Sequence, residues 1–448
     1  MARNKLEAEK KPNSAQRTSG DSDMENDVYD NLIEKVLSRN NLNDAYRRVK
    51  RNKGVPGIDG MTVDELGPYL REHRQEIKEA IRAGKYKEAP VKRVEIPKPD
   101  GSKRQLGIPT VRDRFVQQAV AQVLTPIYEQ VFSDNSFGFR PKRSAADAIE
   151  RARGCFESGL EVVVDIDMRK FFDEVNHDKL MYFIEQRIKD KLVLRLIRRF
   201  LVSGIMDNGM FQPSEKGTPQ GGPLSPLLAN IYLHEVDMEL ERRGHKFVRY
   251  ADDMNIYVHS LRAGERVLES MTVFLEKKMK LVVNLEKSKV GSPRELKFLG
   301  FTLGRQSGAA VIRIHRTAKS RIIAKLKKIT KRSRGVSLDK VLDDIKMIMR
   351  GWINYYGVAQ IKKFLQITGA WLRRRIRMYI WKQWKKPKTR IKALMKLGAT
   401  SDEAKRISYS RKGYWHLANT WEVASKLTNK RLETRGLLNL TKYYESVH

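Results

Sequence analysis

Residues 247–258 read Phe-Val-Arg-Tyr-Ala-Asp-Asp-Met-Asn-Ile-Tyr-Val. Apolar and β-branched residues flank a short acidic centre, the pattern of a β-hairpin turning at Asp252 and Asp253. Adjacent carboxylates repel each other, and a hydrophobic strand pair gains nothing by crowding them. A hard divalent cation removes the conflict, because Mg²⁺ takes oxygen ligands and bridges carboxylates to substrate phosphates. Asp is also a common turn residue, so the pair taken alone is equally well a polar turn. The rest of the chain decides between the two readings.

Working outward, the nearest counterpart is Val162-Val-Val-Asp-Ile-Asp167, a short and nearly continuous apolar strand that ends in acid. A carboxylate closing a buried strand is costly unless a cation or hydrogen-bond donors await it. With Asp252 and Asp253, Asp167 would form a three-carboxylate cage for two Mg²⁺ about 4 Å apart. Such a cage suits activation of a 3′-hydroxyl and in-line displacement at phosphorus. Asp165 competes for the role, since side chains alternate and 165 and 167 share a face. An ordinary ion pair is the alternative for either. His177 has no second histidine at ligand spacing, so no metal role follows for it.

At 448 residues the chain is long enough for roughly two to four domains. Its 89 Lys+Arg against 53 Asp+Glu leave a formal charge of +36, which points to a polyanionic partner: nucleic acid or an anionic membrane surface. The charge is uneven. Residues 311–448 hold 35 basic and 8 acidic residues, a net of +27, and all six tryptophans. A basic, aromatic C-terminal region thus follows a nearly balanced body. The single cysteine, Cys155, excludes an internal disulfide and a Cys-based zinc site, and reads as an inert helix residue. No apolar run approaches the ~18 residues of a membrane span, and no apolar signal core opens the chain. A soluble, cytoplasmic, nucleic-acid-associated protein with no membrane partner is expected.

Residues 1–26 read as a disordered polar tail. A helix begins near Val28, and Lys53-Gly-Val-Pro-Gly-Ile-Asp-Gly60 breaks the helical pattern; another helix spans about 63–83. Residues 92–109 predict a hairpin turning at Asp100-Gly101 with basic residues on both arms. Helices are expected over about 111–132, 144–158, 177–202, 227–243 and 262–279, with strands at 281–284 and 296–303. Gly217-Thr-Pro-Gln-Gly-Gly-Pro-Leu-Ser-Pro226 is a glycine- and proline-rich loop opening onto a helix. Beyond 310 the pattern is helical. In Trp371-Leu-Arg-Arg-Arg-Ile-Arg-Met-Tyr-Ile-Trp-Lys-Gln-Trp384, Leu372, Ile376 and Tyr379-Ile380 share one face, which leaves Arg373, Arg374, Arg377 and Lys382 to follow an RNA or hybrid backbone. Most of the tryptophans there read as core.

This ordered series resembles the reverse transcriptases encoded by group II introns, which double as splicing maturases. The resemblance runs from about residue 28 to the C-terminus. It rests on the Gly-Val-Pro-Gly-Ile-Asp-Gly loop, Arg-Gln-Leu-Gly-Ile-Pro-Thr, Phe-Gly-Phe-Arg-Pro, Asp-Met-Arg-Lys-Phe-Phe-Asp, the 217–226 loop with its following Leu-Leu-Ala-Asn, Tyr-Ala-Asp-Asp and Phe-Leu-Gly-Phe. Gly351-Trp-Ile-Asn-Tyr-Tyr356 looks like the maturase (X) domain. The resemblance selects Asp167 over Asp165. It implies that Phe172 is a steric gate favouring dNTP over rNTP, with Phe171 as core. It also implies that Lys98 and Arg104 hold the triphosphate, that Gln220 lines the nucleotide pocket, and that Arg140 joins the RNA/DNA contacts. Lys287 and Lys289 fall where the family has basic residues, but surface charge explains them as well.

The expected architecture is an α+β right-hand polymerase followed by an all-helical thumb/maturase X region. The expected segments are an N-terminal extension and fingers over 27–160 and a palm with a small antiparallel sheet over 161–309. A thumb/X domain follows over 310–385, then a basic nucleic-acid-binding segment over 386–448. The implied partners are intron RNA, an RNA template with a DNA primer, and target DNA. The compact end of the chain resembles the subclass without an endonuclease. Rival readings are a splicing cofactor with an idle polymerase site and a retron-type or diversity-generating reverse transcriptase.

Overall fold

The structure, a computed structural model, describes residues 31–97, 101, 103–207 and 209–448, with Arg104 in its backbone alone. The polar tail expected over 1–26 and the proposed triphosphate residue Lys98 lie outside the described residues. Among the described residues the strands are β1 (Val91–Pro97), β2 (Lys103–Ile108), β3 (Val162–Ile166), β4 (Ile205–Asp207), β5 (Met210–Gln212), β6 (Lys246–Tyr250), β7 (Asp253–Val258), β8 (Lys289–Gly291), β9 (Phe301–Gln306) and β10 (Ala309–Ile314). The chain divides into two compact units. One comprises the residues up to 133 with 168–238 and 274–282; the other comprises 134–167, 239–273 and 283–448.

The first unit carries a sheet of order β2-β1-β4-β5. β1 and β2 are antiparallel from Lys92↔Ile108 to Pro97↔Lys103, the hairpin expected over 92–109, and Gly101 near its tip takes a positive φ of 85°. β4 adds to β1 in parallel at Val91↔Ile205 and turns back into β5. Strands of three residues carry too little alternation to be read from sequence, and this pair was not foreseen. The helix Val111–Glu129 starts where Thr110 accepts a hydrogen bond from the Asp113 amide, and its periodic Phe115, Val116, Ala119, Val120 and Leu124 are buried as the spacing predicts.

The second unit is built on an antiparallel sheet of order β6-β7-β3-β8. β3 lies between β7 and β8, and the helices Ala145–Glu157 and Leu261–Val273 pack on the sheet. An interior position accounts for the apolar run of Val162-Val-Val. The strand expected at 281–284 does not form. Leu281 and Val283 are buried with no more than a single bridge at Val283, and the ladder forms instead at Lys289–Gly291. The helix expected to reach 279 ends at Val273 and continues as a π-helical turn, Phe274–Lys278. The hairpin β9–β10 extends to Ile314, so the helical region starts at Arg316 rather than at 310.

The helices Arg316–Ile329, Leu338–Tyr356 and Lys362–Gln383 follow, then shorter ones from Pro387 to Val447. One apolar cluster joins Ile149, Phe156, Val163 and Tyr257 beside the sheet to Leu365, Ile376, Trp381 and Leu440 in the helices. The sheet and the helical region of this unit therefore share a core. Cys155 is buried in its helix, where burial pushes the thiol up. Among the described residues no helix is long and apolar enough to cross a membrane.

Candidate active site

The acidic residues expected to act together meet at one end of the second unit's sheet. β3 and β7 pair antiparallel from Val162↔Val258 to Ile166↔Met254. One further step of that register sets Asp167 opposite Asp253, the first residue of β7. Directly opposed residues in such a ladder lie about 4.5–5.5 Å apart at Cα. Asp165 faces Asn255 in the same register, so Asp165, Asp167 and Asp253 share a face. Asn255, with its amide turned to donate, reaches Asp165 Oδ1 at 3.1 Å. Burial first, then the charges of Asp253 and Asp167, push the Asp165 carboxyl up to about 7, against the pull of Lys297 and Lys289. Lys289, which the sequence left as surface charge, faces Asp165 across the β3–β8 ladder.

Asp167 is half-buried at the end of β3. Its amide donates to Ser288 Oγ at 3.0 Å, and its carbonyl accepts from the Asn284 amide at 2.8 Å. Asp252 is half-buried in the turn and Asp253 is exposed. Among the described residues no three His, Cys, Asp or Glu side chains close into a group able to hold a metal ion. The donor set fits a hard divalent cation, because carboxylate oxygens sharing one sheet face under mutual repulsion are what Mg²⁺ takes as ligands.

The turn between β6 and β7 is strained and braced. Ala251 holds a positive φ of 57°, a region that costs a non-glycine residue about 1–3 kcal/mol and that clusters at functional sites. Arg249, fully buried, donates to the Ala251 carbonyl at 2.9 Å. The Ser136-Phe-Gly-Phe-Arg-Pro141 loop lies against it, with Phe137 donating to the Arg249 carbonyl and Arg249 to the Asn135 carbonyl, each at 2.9 Å. Arg140 corrects an expectation. The residue is 6% exposed, and Nη1 donates to the Ser136 carbonyl at 2.9 Å, so it holds this loop together rather than facing nucleic acid. Tyr355, in the segment read only as a maturase signature, is pushed up to about 12 by burial, with Tyr356, Tyr250 and Asp253 adding. Its hydroxyl donates to the Leu299 carbonyl at 3.0 Å, and its ring stacks on Phe301. Neither Arg249 nor Tyr355 carried a spacing signal that would have singled it out.

In the first unit, Phe172 and Gln220 line a cavity of about 390 Å³ together with Arg93, Gln105, Lys170 and Lys216. Phe171 is core, edge-on to Phe172 and Tyr232, as expected. The glycine-rich loop is tied down on both sides. Thr218 N donates to the Phe172 carbonyl at 2.6 Å and Gly217 N to the Val175 carbonyl at 2.8 Å, while Gly107 N donates to the Gln220 carbonyl at 3.1 Å. Gly217 has a φ of +90°, and an added Cβ would come within 2.9 Å of the Phe172 and Asp173 carbonyl oxygens. His177, buried, donates from Nε2 to the Gly217 carbonyl at 2.7 Å. Lys170, Lys216 and Gln105 were missed by sequence because their place in the cavity wall follows from pairing and loop closure.

The basic helix Lys362–Gln383 buries Leu372, Ile376, Tyr379 and Ile380, as its pattern requires. Its cations are less free than expected. Arg374 stacks 3.9 Å from the Trp415 ring centroid and donates twice to the Trp415 carbonyl; Arg377 donates to the Leu427 carbonyl at 2.8 Å and to Asn429 Oδ1 at 3.1 Å. Both tie helices together while staying half-exposed. Arg373 stays half-exposed and Lys382 exposed. Trp381 is buried, and Trp371 and Trp384 are half-buried.

Residues 96–303 match the family model "Reverse transcriptase (RNA-dependent DNA polymerase)", and residues 319–398 match "Group II intron, maturase-specific domain". The chain is 33% identical over 289 residues to Protein YkfC of Escherichia coli (strain K12), covering 56% of this chain and 76% of that one. It is 30% identical over 370 residues to the group II intron-encoded protein LtrA of Lactococcus lactis subsp. cremoris, covering 68% of this chain and 60% of LtrA. An uncharacterized 91 kDa protein in the cob intron of Schizosaccharomyces pombe is 33% identical over 219 residues, 47% of this chain and 26% of its own length.

Proposed function

The chain belongs to the group II intron-encoded reverse transcriptases, and on that premise we propose that it is an RNA-directed DNA polymerase that copies its intron RNA into DNA from a DNA 3′ end and assists that RNA's splicing as a maturase. The observation that supports this reading most is the β3–β7 pairing, which ends at Ile166↔Met254 and leaves Asp167 and Asp253 as the next residues along the two strands. Asp167, Asp252 and Asp253 are the metal ligands and catalytic acids. When bound between them, two Mg²⁺ supply activation of the primer 3′-hydroxyl and neutralise the pyrophosphate that leaves.

The chain's own residues do the positioning. Phe172 lies beneath the sugar of a dNTP and excludes a 2′-hydroxyl, and Gln220 lines the nucleotide pocket. Lys98 and Arg104 take the triphosphate, Arg by bidentate contact and Lys as a point charge. The cavity that Phe172 and Gln220 share supports their roles. Template RNA, primer and target DNA meet fingers over 27–160 and palm over 161–309; the thumb/X region over 310–385 and the basic segment over 386–448 take the intron RNA, Arg373 and Lys382 among the contacts.

Primer extension on poly(rA)/oligo(dT) with Mg²⁺ tests the reading. Wild-type protein extends the primer, chelation stops extension, and Asp167→Asn and Asp252→Asn each lower the rate about 10³-fold, the several kcal/mol that a metal clamp contributes. Wild-type extension no better than that of Asp252→Asn would overturn it. Sequencing the RNA that copurifies with the protein tests the maturase half: a structured intron supports it, and a small non-coding RNA does not.

A further inference from the structure

We propose that Arg332, Lys382 and Arg390, gathered round the ring of Tyr414, form a seat for backbone phosphodiesters of a folded RNA, an assignment that rests on the RNA-binding role proposed above. The guanidiniums of Arg332 and Arg390 lie 4.7 and 5.5 Å from the Tyr414 ring centroid, and Lys382 Nζ lies 5.5 Å from it. Among the described residues no carboxylate pairs with any of the three. One aromatic face favours a nearby cation, but three cations round one ring repel one another and need an anion. The sequence supplies none near Lys382 and Arg390: residues 345–401 hold 15 Lys and Arg and neither Asp nor Glu.

Arg390 makes the case specific. It is 9% exposed, in the first turn of the helix Pro387–Lys396, and its buried Nε has no hydrogen-bond partner. Its Nη2 donates to Tyr414 Oη at 3.4 Å, and the rest of the group lies over the Trp381 ring at 5.1 Å. A buried guanidinium with an orphan N–H is costly unless a strong acceptor completes it, and phosphate is the acceptor that guanidinium geometry matches. Tyr414 Oη, already accepting from Arg390, has its own proton to donate. The helix start, whose N-cap Lys386 makes no side-chain cap bond, adds partial positive charge. The exposed Lys385, Lys386 and Lys388 prolong the basic surface beside the seat, which suits an extended polyanion more than a single ion.

The test is filter binding of full-length protein to a folded group II intron transcript across a series of KCl concentrations. Arg332→Gln with Lys382→Gln, both exposed and so compatible with an unchanged melting temperature, should flatten the log–log salt slope by about 1.5, given roughly 0.7–0.9 per phosphate contact. Tyr414→Phe keeps the ring and should weaken binding a few-fold with little change of slope. The exposed pair Lys85→Gln with Lys87→Gln serves as control. A steep wild-type slope kept by the Arg332/Lys382 variant, or an equal loss in the control, overturns the seat alone. A wild-type protein that binds the transcript without salt dependence overturns the RNA-binding role as well. Competition separates the sources of phosphate: the folded RNA should displace bound transcript better than duplex DNA of equal length or inorganic phosphate, and the reverse order overturns the assignment to RNA.

Discussion

His177 fastens the glycine-rich loop from beneath, and its protonation carries a measurable cost. Burial pushes the imidazole below its ordinary range; the bond to the Gly217 carbonyl opposes this, Arg198 adds to it and Asp178 opposes it. Above about pH 6.5 the ring is neutral folded or unfolded. Below it the unfolded chain takes up a proton that the folded chain resists, so stability falls as pH drops through that value. His177→Gln keeps a donor for Gly217 without the titration. Its melting temperature should therefore fall less than that of wild type between pH 7.5 and 5.5, and parallel curves would dismiss the linkage. Phe172 lies in the short helix Phe171–Glu174, and its carbonyl accepts from the Thr218 amide of the same loop. As the proposed barrier to a 2′-hydroxyl, its replacement in Phe172→Ala should raise rNTP incorporation relative to dNTP by roughly 10- to 100-fold, a pocket-size effect of the usual magnitude. Competitive single-nucleotide extension measures it, and an unchanged ratio would remove Phe172 from that role. At this scale the sequence was most legible where a residue type has one chemical use. Asp252-Asp253 announced itself. Choosing Asp167 over Asp165 needed the resemblance, because both acids face the same way along β3, and the structure gives Asp165 a different setting, within the ladder opposite Asn255 and Lys289.

The hairpin of β6 and β7 is an element whose turn depends on a second segment. A Cβ added at Gly138 would collide with the backbone nitrogen of Ala251 and lie 2.8 Å from the carbonyl carbon of Tyr250. Neither is a flexible side-chain end, so Gly138→Ala must displace the acidic turn or the loop, at a cost of about 1–3 kcal/mol by analogy with overpacking. Primer extension should drop by at least about tenfold while affinity for the folded transcript is retained, because the change lies at the acids and away from the basic helices. A variant with wild-type extension and melting temperature would show that the close approach is dispensable. This docking was not legible. Ser136-Phe-Gly-Phe-Arg-Pro141 reads from sequence as a broken loop with an arginine for nucleic acid, yet loop and turn are more than a hundred residues apart and meet through the bonds of Arg249 with Phe137 and Asn135 and the close approach of Gly138. Elements with strong periodicity or an apolar run, such as β3 and the helix Val111–Glu129, were legible. β4, β5 and β8 were not, since three residues show no alternation and their partners lie far along the chain.

Across the whole second unit, the helical C-terminal region is part of the structure that supports the acids. Nine members of the unit's apolar cluster, from Leu394 to Leu440, come from the segment after residue 386, and the same cluster includes Val163 of β3 and Tyr257 of β7. The last helix, Leu440–Val447, is anchored on earlier ones: Tyr443 Oη donates to Asn354 Oδ1 at 2.9 Å, and Lys362 pairs with Glu445 at 2.7 Å. Composition separates a basic C-terminal region from a nearly balanced body. Charge pattern reports the surface, however, and is blind to how apolar faces are shared. Each buried aliphatic side chain contributes about 1.5–3 kcal/mol, against a net stability of about 5–15 kcal/mol for a typical domain. Losing the eight larger ones together, all but Ala404, therefore exceeds the margin of the unit. Removal of residues 387–448 should abolish primer extension on poly(rA)/oligo(dT), a substrate with no intron to recognise, and should replace the unit's cooperative melting transition with a broad one. An independent RNA-binding module predicts the opposite: a truncated protein that extends this short primer at the wild-type rate, melts as sharply as before, and loses only its grip on the folded intron.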